Sequence, residues 1–443
     1  MTLSPEWTER RSGSAPERPG DTRSPYDRDY SRLLHSSAFR RLQGKTQVLG
    51  IGESDFHRTR LTHSMEVAQI GRGLVQVLGG RFPECEVLPP SPLIEAISFG
   101  HDIGHPPHGH SGEIALNYVM RDHGGFEGNA QSLRLLSRKE PYSGAHGLDL
   151  TRRTLLGILK YPAPYSRVSR TEQPQPPENP RGMNRDNWEP PKCHFDEDQE
   201  IVSWMLDPLG AEDCKAFQSL RKEPSSTENG KTAYKSLDAS IMDIADDIAY
   251  GVHDLEDAIK LGFVSEEDLM ETLEENTDPQ WSQRVGLSEP KDLAGRLADT
   301  GTRKKAIGEL VHAFILSVRL ERQEQFESTL LDWTAALSEP AEDLLEALDE
   351  LKVNRVIKKA TAQQMEYRGR LLIMRLFEAL SSDPKRLLKS WRWEQYQSHD
   401  KAGDEQAAHR IICDYIAGMT DEYATEVYER LFVPHNGRVS AAR

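Results

Sequence analysis

The chain has 443 residues and a formal net charge of −16, long enough to bury a large core as one helical domain or two smaller ones. An acidic balance of this size argues against general binding to nucleic acid or anionic membranes, but leaves room for a local basic pocket that takes a phosphorylated small molecule. Four scattered cysteines (Cys85, Cys193, Cys214, Cys413) without a CxxC pair, a polar N-terminus and the lack of a long apolar run predict a soluble protein of the reducing cytoplasm, neither secreted nor membrane-spanning.

Residues 1–26 are rich in Ser, Pro, Arg and Glu without apolar periodicity, which predicts a flexible N-terminal arm. Helical spacing begins near Asp27 and runs through Leu33, Leu34 and Phe39 to Gln43, before a polar loop with glycine at both ends (Gly44 to Gly50). Apolar residues at three- and four-residue intervals from Val67 to Leu78 predict a strong helix, with His63 near its start and Thr59 or Thr62 as its N-cap. A single histidine at a helix start is an ordinary surface residue unless a partner lies elsewhere.

That partner follows a proline-rich turn. Leu93, Ile94, Ala96, Ile97 and Phe99 predict a buried helix, and where it ends the chain reads His101-Asp102-Ile103-Gly104-His105-Pro106-Pro107-His108-Gly109-His110-Ser111-Gly112-Glu113. Four histidines and two acids crowd into thirteen residues, with glycine and proline that forbid a continuous helix. Histidine and carboxylate are ligands of divalent metals. His110 and Glu113 are three apart and share a helix face, and a histidine oriented by a carboxylate is suited to general acid–base work.

Further helices open at Phe126-Glu127-Gly128-Asn129-Ala130-Gln131 and end at Lys160-Tyr161-Pro162. Residues 162–192 hold eight prolines and read as a surface excursion; 221–231 is a second polar gap. Ser240 to Ile259 reads as one helix on which Asp246, Tyr250 and Asp254 fall at i, i+4 and i+8, a polar stripe on an otherwise apolar element. Beyond 261 helical segments alternate with polar breaks and no alternating strand pattern stands out. The expectation is an all-α fold, with a domain over 27–260 and a helical C-terminal region over 261–443.

His63, His101, Asp102 and Asp246 lie in or beside separate helices, and four N/O ligands so placed would hold one divalent ion, the design of a hydrolytic metal centre. This H…HD…D pattern resembles the HD-domain phosphohydrolases. The longer stretches Phe39–Gln47, Arg58–Ser64, His101–Pro107, Phe126–Gln131, Lys160–Pro162 and Ala245–Tyr250 narrow the resemblance to the bacterial deoxyguanosine triphosphate triphosphohydrolases, relatives of the vertebrate dNTPase with an attached SAM domain. It covers about residues 27–260 with specific motifs and is weak over 261–443.

The resemblance implies an HD-domain helical fold and hydrolysis of a dNTP at the α-phosphorus to deoxynucleoside and tripolyphosphate, by water that is metal-held or histidine-assisted. It makes His63, His101, Asp102 and Asp246 the ligands of a divalent metal (Mg, Mn, Fe, Co or Ni). His110, paired with Glu113, matches the catalytic histidine, and His105 an active-site residue near the phosphates. Arg60 and Lys160 match phosphate-binding positions, with Asn129 a further candidate. Tyr250 and Asp254 match residues against the deoxyribose, and Gln47 a sugar- and base-side contact. Asp246 is preferred to its neighbour Asp247 because it alone places Tyr250 and Asp254 at the family's spacing. The implied partners are the dNTP substrate, further copies of the chain in a homo-oligomer such as a hexamer, and a regulatory dNTP or single-stranded DNA. The competing readings are another HD phosphohydrolase (a 5′-nucleotidase or a (p)ppGpp hydrolase) and a nucleotide- or single-strand-binding regulator with an HD pocket.

Overall fold

A computed structural model describes residues 3–13, 19–47 and 58–434. Of the expectations above, parts of the N-terminal arm (1–2 and 14–18), the end of the glycine-bounded loop (48–50) and the chain end (435–443) lie outside the described residues.

Helices carry the fold. The first half contributes α1 (Pro25–Leu34), α2 (Arg60–Arg81), α3 (Ser91–Gly100), α4 (Gly109–Val119), α5 (Gly128–Arg134) and α6 (Arg152–Ile158). Then come α7 (Leu237–Ile248) and α8 (Asp254–Lys260), and towards the C-terminus α9 (Glu339–Lys352), α10 (Ala360–Ser382), α11 (Glu405–Ala417) and α12 (Asp421–Phe432). Local chemistry starts them where it should. Ser24 and Asp27 form a reciprocal capping box around Pro25 at the head of α1, and Thr59 and Thr62 do the same for α2. Both threonines named as alternative caps are therefore used. None of these helices is long and apolar enough to cross a membrane.

Two apolar cores are formed. The first joins α1, α2, α3, α6, α7, α8 and α9 through residues such as Leu33, Leu74, Ile94, Leu155, Ile241, Leu255 and Leu348. The second joins α4, α10, α11 and α12 through Ile114, Leu116, Ile373, Ile412 and Ala424. α9 belongs with the first half's core, while α10 covers α4.

Three stretches differ from expectation. Part of the N-terminal arm is docked, not free. Trp7 is 5% exposed within the first core, and Arg10 Nη1 pairs at 2.6 Å with the buried Asp29 carboxylate. A polar average concealed one aromatic anchor and one cation that a buried charge requires. The proline-rich stretch is a surface excursion over 171–182, but its two ends are packed, burying Ala163, Val168, Met183 and Trp188 in the second core, with Trp188 edge-on to Tyr118 at 4.8 Å. Proline lacks an N–H to satisfy, so such a segment can lie against a core with little regular structure, here one helical turn at Tyr165–Val168 and short 3-10 turns.

The third difference is β-structure. Antiparallel ladders join β1 (Leu220–Lys222) to β2 (Lys231–Thr232) and β3 (Val318–Arg322) to β4 (Trp333–Leu337). The strands are two to five residues long, too short for alternation to stand out. Their tertiary setting holds them: Ala335 N donates to Ser240 Oγ of α7 at 2.9 Å.

Candidate active site

The site lies along the seam between the two cores, where the 101–113 stretch crosses from α3 to α4. Two glycines allow the crossing. A Cβ on Gly104 would stand 2.2 Å from Ser132 N, and one on Gly112 would stand 2.0 Å from Pro107 O; both are backbone atoms that cannot yield. Ser132 Oγ clamps the near end, donating to His101 O and accepting from Gly104 N, each at 2.9 Å.

His101 ends α3 with its Nδ1 2.6 Å from Ser98 O. A carbonyl can only accept, so Nδ1 carries the proton and the Nε2 lone pair is free. That Nε2 is buried without a hydrogen-bond partner among the described residues. It stands 3.6 Å from Asp246 Oδ1 of α7, and His63 Nε2 of α2 stands 3.0 Å from the same oxygen. One ligand atom from each of His63, His101 and Asp246 lies within 4.8 Å of the others. Burial opposes ionisation of Asp246, but His101, His63 and Lys160 outweigh it and hold the carboxyl well below its ordinary range. Burial likewise opposes a cationic His101, yet Asp246 and Asp102 pull its pKa up. A buried, orphaned nitrogen and an ionised carboxylate in a field that favours positive charge fit a divalent metal.

Asp102 stands beside this group but outside it. Its Oδ2 is ion-paired with Arg60 Nη1 and its Oδ1 lies 2.6 Å from His105 Nδ1. Arg60 and His105 overcome burial and keep this carboxyl ionised as well.

A cavity of about 490 Å³ opens over these groups. Of the residues expected in the site, Gln47, Arg60, His101, Asp102, His105, His110, Asn129, Lys160, Asp246 and Tyr250 line it. His63, Glu113 and Asp254 are buried outside the lining. Glu113 acts from behind: its Oε2 is 3.1 Å from His110 Nδ1 and its Oε1 accepts from Gly128 N at 2.8 Å. Burial would raise the Glu113 pKa, but Lys192 and His110 hold it well below the ordinary range.

Asp254 is displaced for a reason of backbone geometry. The helix read as continuous from 240 to 259 contains a π-turn at Ala249–His253 between α7 and α8, which breaks the 3.6-residue phase that aligned Asp254 with Asp246 and Tyr250. Asp254 Oδ1 lies 3.7 Å from Arg58 Nη1 instead. Tyr250 remains in the lining, with Lys352 Nζ of α9 3.6 Å from its ring centroid. Lys160 Nζ pairs with Asp243 and reaches within 3.6 Å of Asp246 Oδ2. Asn129 Nδ2 is engaged by Glu127 at 2.7 Å, and Gln47 Oε1 is buried and has no partner among the described residues.

Comparison with known proteins agrees with this architecture. Residues 335–430, which include α10, α11 and most of α12, match the phosphohydrolase-associated domain model. A deoxyguanosinetriphosphate triphosphohydrolase-like protein of Shewanella halifaxensis is 48% identical over 438 residues, 97% of each chain. A protein of the same description from Aliivibrio fischeri is 47% identical, covering 98% of each. The chain belongs to the deoxyguanosinetriphosphate triphosphohydrolase-like family.

This family member also has site residues that the sequence did not reveal. Lys192, after Pro190 and Pro191, pairs with Glu127 at 3.0 Å and lies 3.6 Å from Glu113; its one signal is the apolar Cys193 and Phe195 that return the chain to the core. Asp421, first residue of α12, accepts from His108 N at 2.9 Å and from Thr46 N at 3.0 Å, tying two cavity walls together. Lys45, buried between them, donates to His105 O at 2.5 Å and to Ala417 O at 2.9 Å. Burial, with Arg41 and Arg60 nearby, lowers its pKa to about 7. Contacts to residues more than 300 positions away have no local periodicity to betray them.

Proposed function

We propose that the chain hydrolyses deoxynucleoside triphosphates, dGTP and other dNTPs included, to deoxynucleoside and tripolyphosphate. The observation that carries this reading is the meeting of His63, His101 and Asp246 under a cavity that also presents Arg60, Lys160 and His110, the last backed by Glu113.

His63, His101 and Asp246 would hold the metal. Asp102 is the adjacent fourth ligand: each carboxylate oxygen has a second lone pair beyond those facing Arg60 and His105. When bound, the metal supplies charge neutralisation at phosphate oxygens and acidification of water. The donor set suits Mg, Mn, Fe, Co and Ni alike.

The chain's own groups supply the rest. Arg60, Lys160, His105 and Asn129 face the triphosphate, where cations offset its charge. His110 holds a proton for the departing 5′-oxygen, and Glu113, locked by Gly128 N, fixes its ring. Tyr250 and Gln47 take the deoxyribose and base side. Asp254 backs Tyr250: burial, Asp349 and Asp254 push the phenol's pKa up and keep it neutral. Family resemblance adds a homo-oligomer and a regulatory dNTP or single-stranded DNA, and the free cysteines add a cytoplasmic setting.

The test supplies each dNTP alone and in pairs with Mg or Mn and separates the products by chromatography. Tripolyphosphate is expected. Orthophosphate or pyrophosphate alone would sink this reading in favour of another phosphohydrolase, and no turnover with any metal would favour a binding role.

A further inference from the structure

We infer that a second cavity, reached from the first past Tyr161 and Lys192, receives the linear tripolyphosphate product. This inference rests on the activity proposed above and names a subsite beyond it. The second cavity has a volume of about 660 Å³ and shares Tyr161 and Lys192 with the lining of the first. A charged bridge runs between them. Lys160 lines the first cavity, Lys235 lines the second, and both pair with the Asp243 carboxylate.

The walls are the two stretches that had no evident purpose in the sequence, the proline-rich segment and the β1–β2 ladder. They are tied together by Gly230 N donating to Val168 O at 2.7 Å, Asn229 Nδ2 to Glu189 O at 3.1 Å and Arg170 N to Asn229 Oδ1 at 3.0 Å. Six cations line this cavity, Arg170, Lys192, Arg221, Lys222, Lys231 and Lys235, against four carboxylates. The local excess is positive in a chain whose net charge is −16.

Three of the six, Arg170, Arg221 and Lys231, have no ion pair among the described residues. Lys222 and Lys231 stand directly opposite each other in the ladder; Glu228 pairs directly with Lys222 at 2.8 Å and is felt by Lys231 only at longer range, so one carboxylate serves two cations. Like charges in register destabilise a strand pair. A polyanion across them would turn that cost into attraction.

The products give a reason for such a subsite. Cleavage at the α-phosphorus leaves a neutral deoxynucleoside and a multiply charged chain still facing Arg60, Lys160 and Lys192. Cations continuing beyond the reaction centre let the chain exchange partners without passing directly into solvent. A chain of three phosphates can span several of these cations; orthophosphate cannot.

Sodium tripolyphosphate titrated calorimetrically into the full chain, without added divalent metal (which would chelate it), tests this. The wild type should show two binding events. Arg221→Glu with Lys231→Glu should lose one of them or weaken it by roughly tenfold or more. Arg170→Ala, outside the ladder, should weaken the same event by a few-fold and guards against misfolding of the hairpin in the double variant. A single event in the wild type, identical isotherms for all three proteins, or equal competition by orthophosphate would each overturn the subsite. Chromatography of the wild-type reaction separates the two ideas: tripolyphosphate formed but isotherms unchanged removes the second cavity alone, whereas no tripolyphosphate formed removes the activity on which it rests.

Discussion

His63 Nε2 and Asp246 Oδ1 stand 3.0 Å apart although 183 positions separate them in sequence. α2 brings one and α7 the other, and α3 ends between them with His101, whose tautomer is set by Ser98 O. The protein thus spends a half-buried carboxylate and two buried imidazoles on one point, a costly arrangement unless a cation completes it.

Asp246→Asn is therefore expected to lose bound metal and to lower turnover by about a hundredfold or more. Elemental analysis of the purified variant beside the wild type checks it. The sign of the pH dependence also follows. His101 holds its proton to higher pH than an ordinary histidine, and metal needs that nitrogen neutral, so metal uptake releases a proton and affinity falls as pH is lowered. Titrations at pH 8 and pH 6 should show weaker binding at the lower pH.

The His110–Glu113 pair should divide chemistry from binding. His110→Ala is expected to lower kcat by about 10²- to 10⁴-fold with little change in KM. Glu113→Gln keeps the shape but not the charge, and a loss of roughly ten- to a hundredfold is expected. Steady-state kinetics on both variants reads the split; equal losses in KM would place these groups in binding instead.

Tyr250 lines the cavity with Lys352 Nζ over its ring, and on the proposed reading it faces the deoxyribose. Tyr250→Ala should open space beside C2′ and narrow the preference for deoxyribonucleotides over ribonucleotides by about tenfold. The ratio of kcat/KM for dGTP and GTP in wild type and variant measures it.

Lys45 should make stability depend on pH. Its folded pKa of about 7 lies below its ordinary value, so above pH 7 the unfolded chain binds the extra proton. Folding stability attributable to this residue then rises with pH, by about 1.4 kcal/mol per unit between the folded and unfolded pKa values, and its burial cost is fully present below pH 7. Urea unfolding of wild type and Lys45→Met from pH 6 to 9 should show the difference growing in favour of the wild type as pH rises.

Trp7 tests the docking of the N-terminal arm. Trp7→Ala should cost about 3 kcal/mol of stability, because a large aromatic is removed from a filled core. A thermal midpoint equal to that of the wild type would show that the arm contributes nothing.

What the sequence determined by itself was the helices and the side chains available for chemistry. The density of histidine and acid at 101–113, the capping threonines before α2 and the apolar spacing of α3 and α7 are local signals, because a helix and its caps are written within a few residues. The Asp246–Tyr250 relation was legible for the same reason. That Asp254 falls outside the cavity lining was not legible, because a π-turn leaves no periodic trace. Only the tertiary structure decided that Asp102 faces Arg60 and His105, that Lys192 and Asp421 reach the cavity while Lys352 stands over the Tyr250 ring, and that Trp7 and the two ends of the proline-rich stretch are packed. Each of these depends on a partner far away in the chain, and burial of a charge or a ring is settled by what closes over it, which no local pattern records.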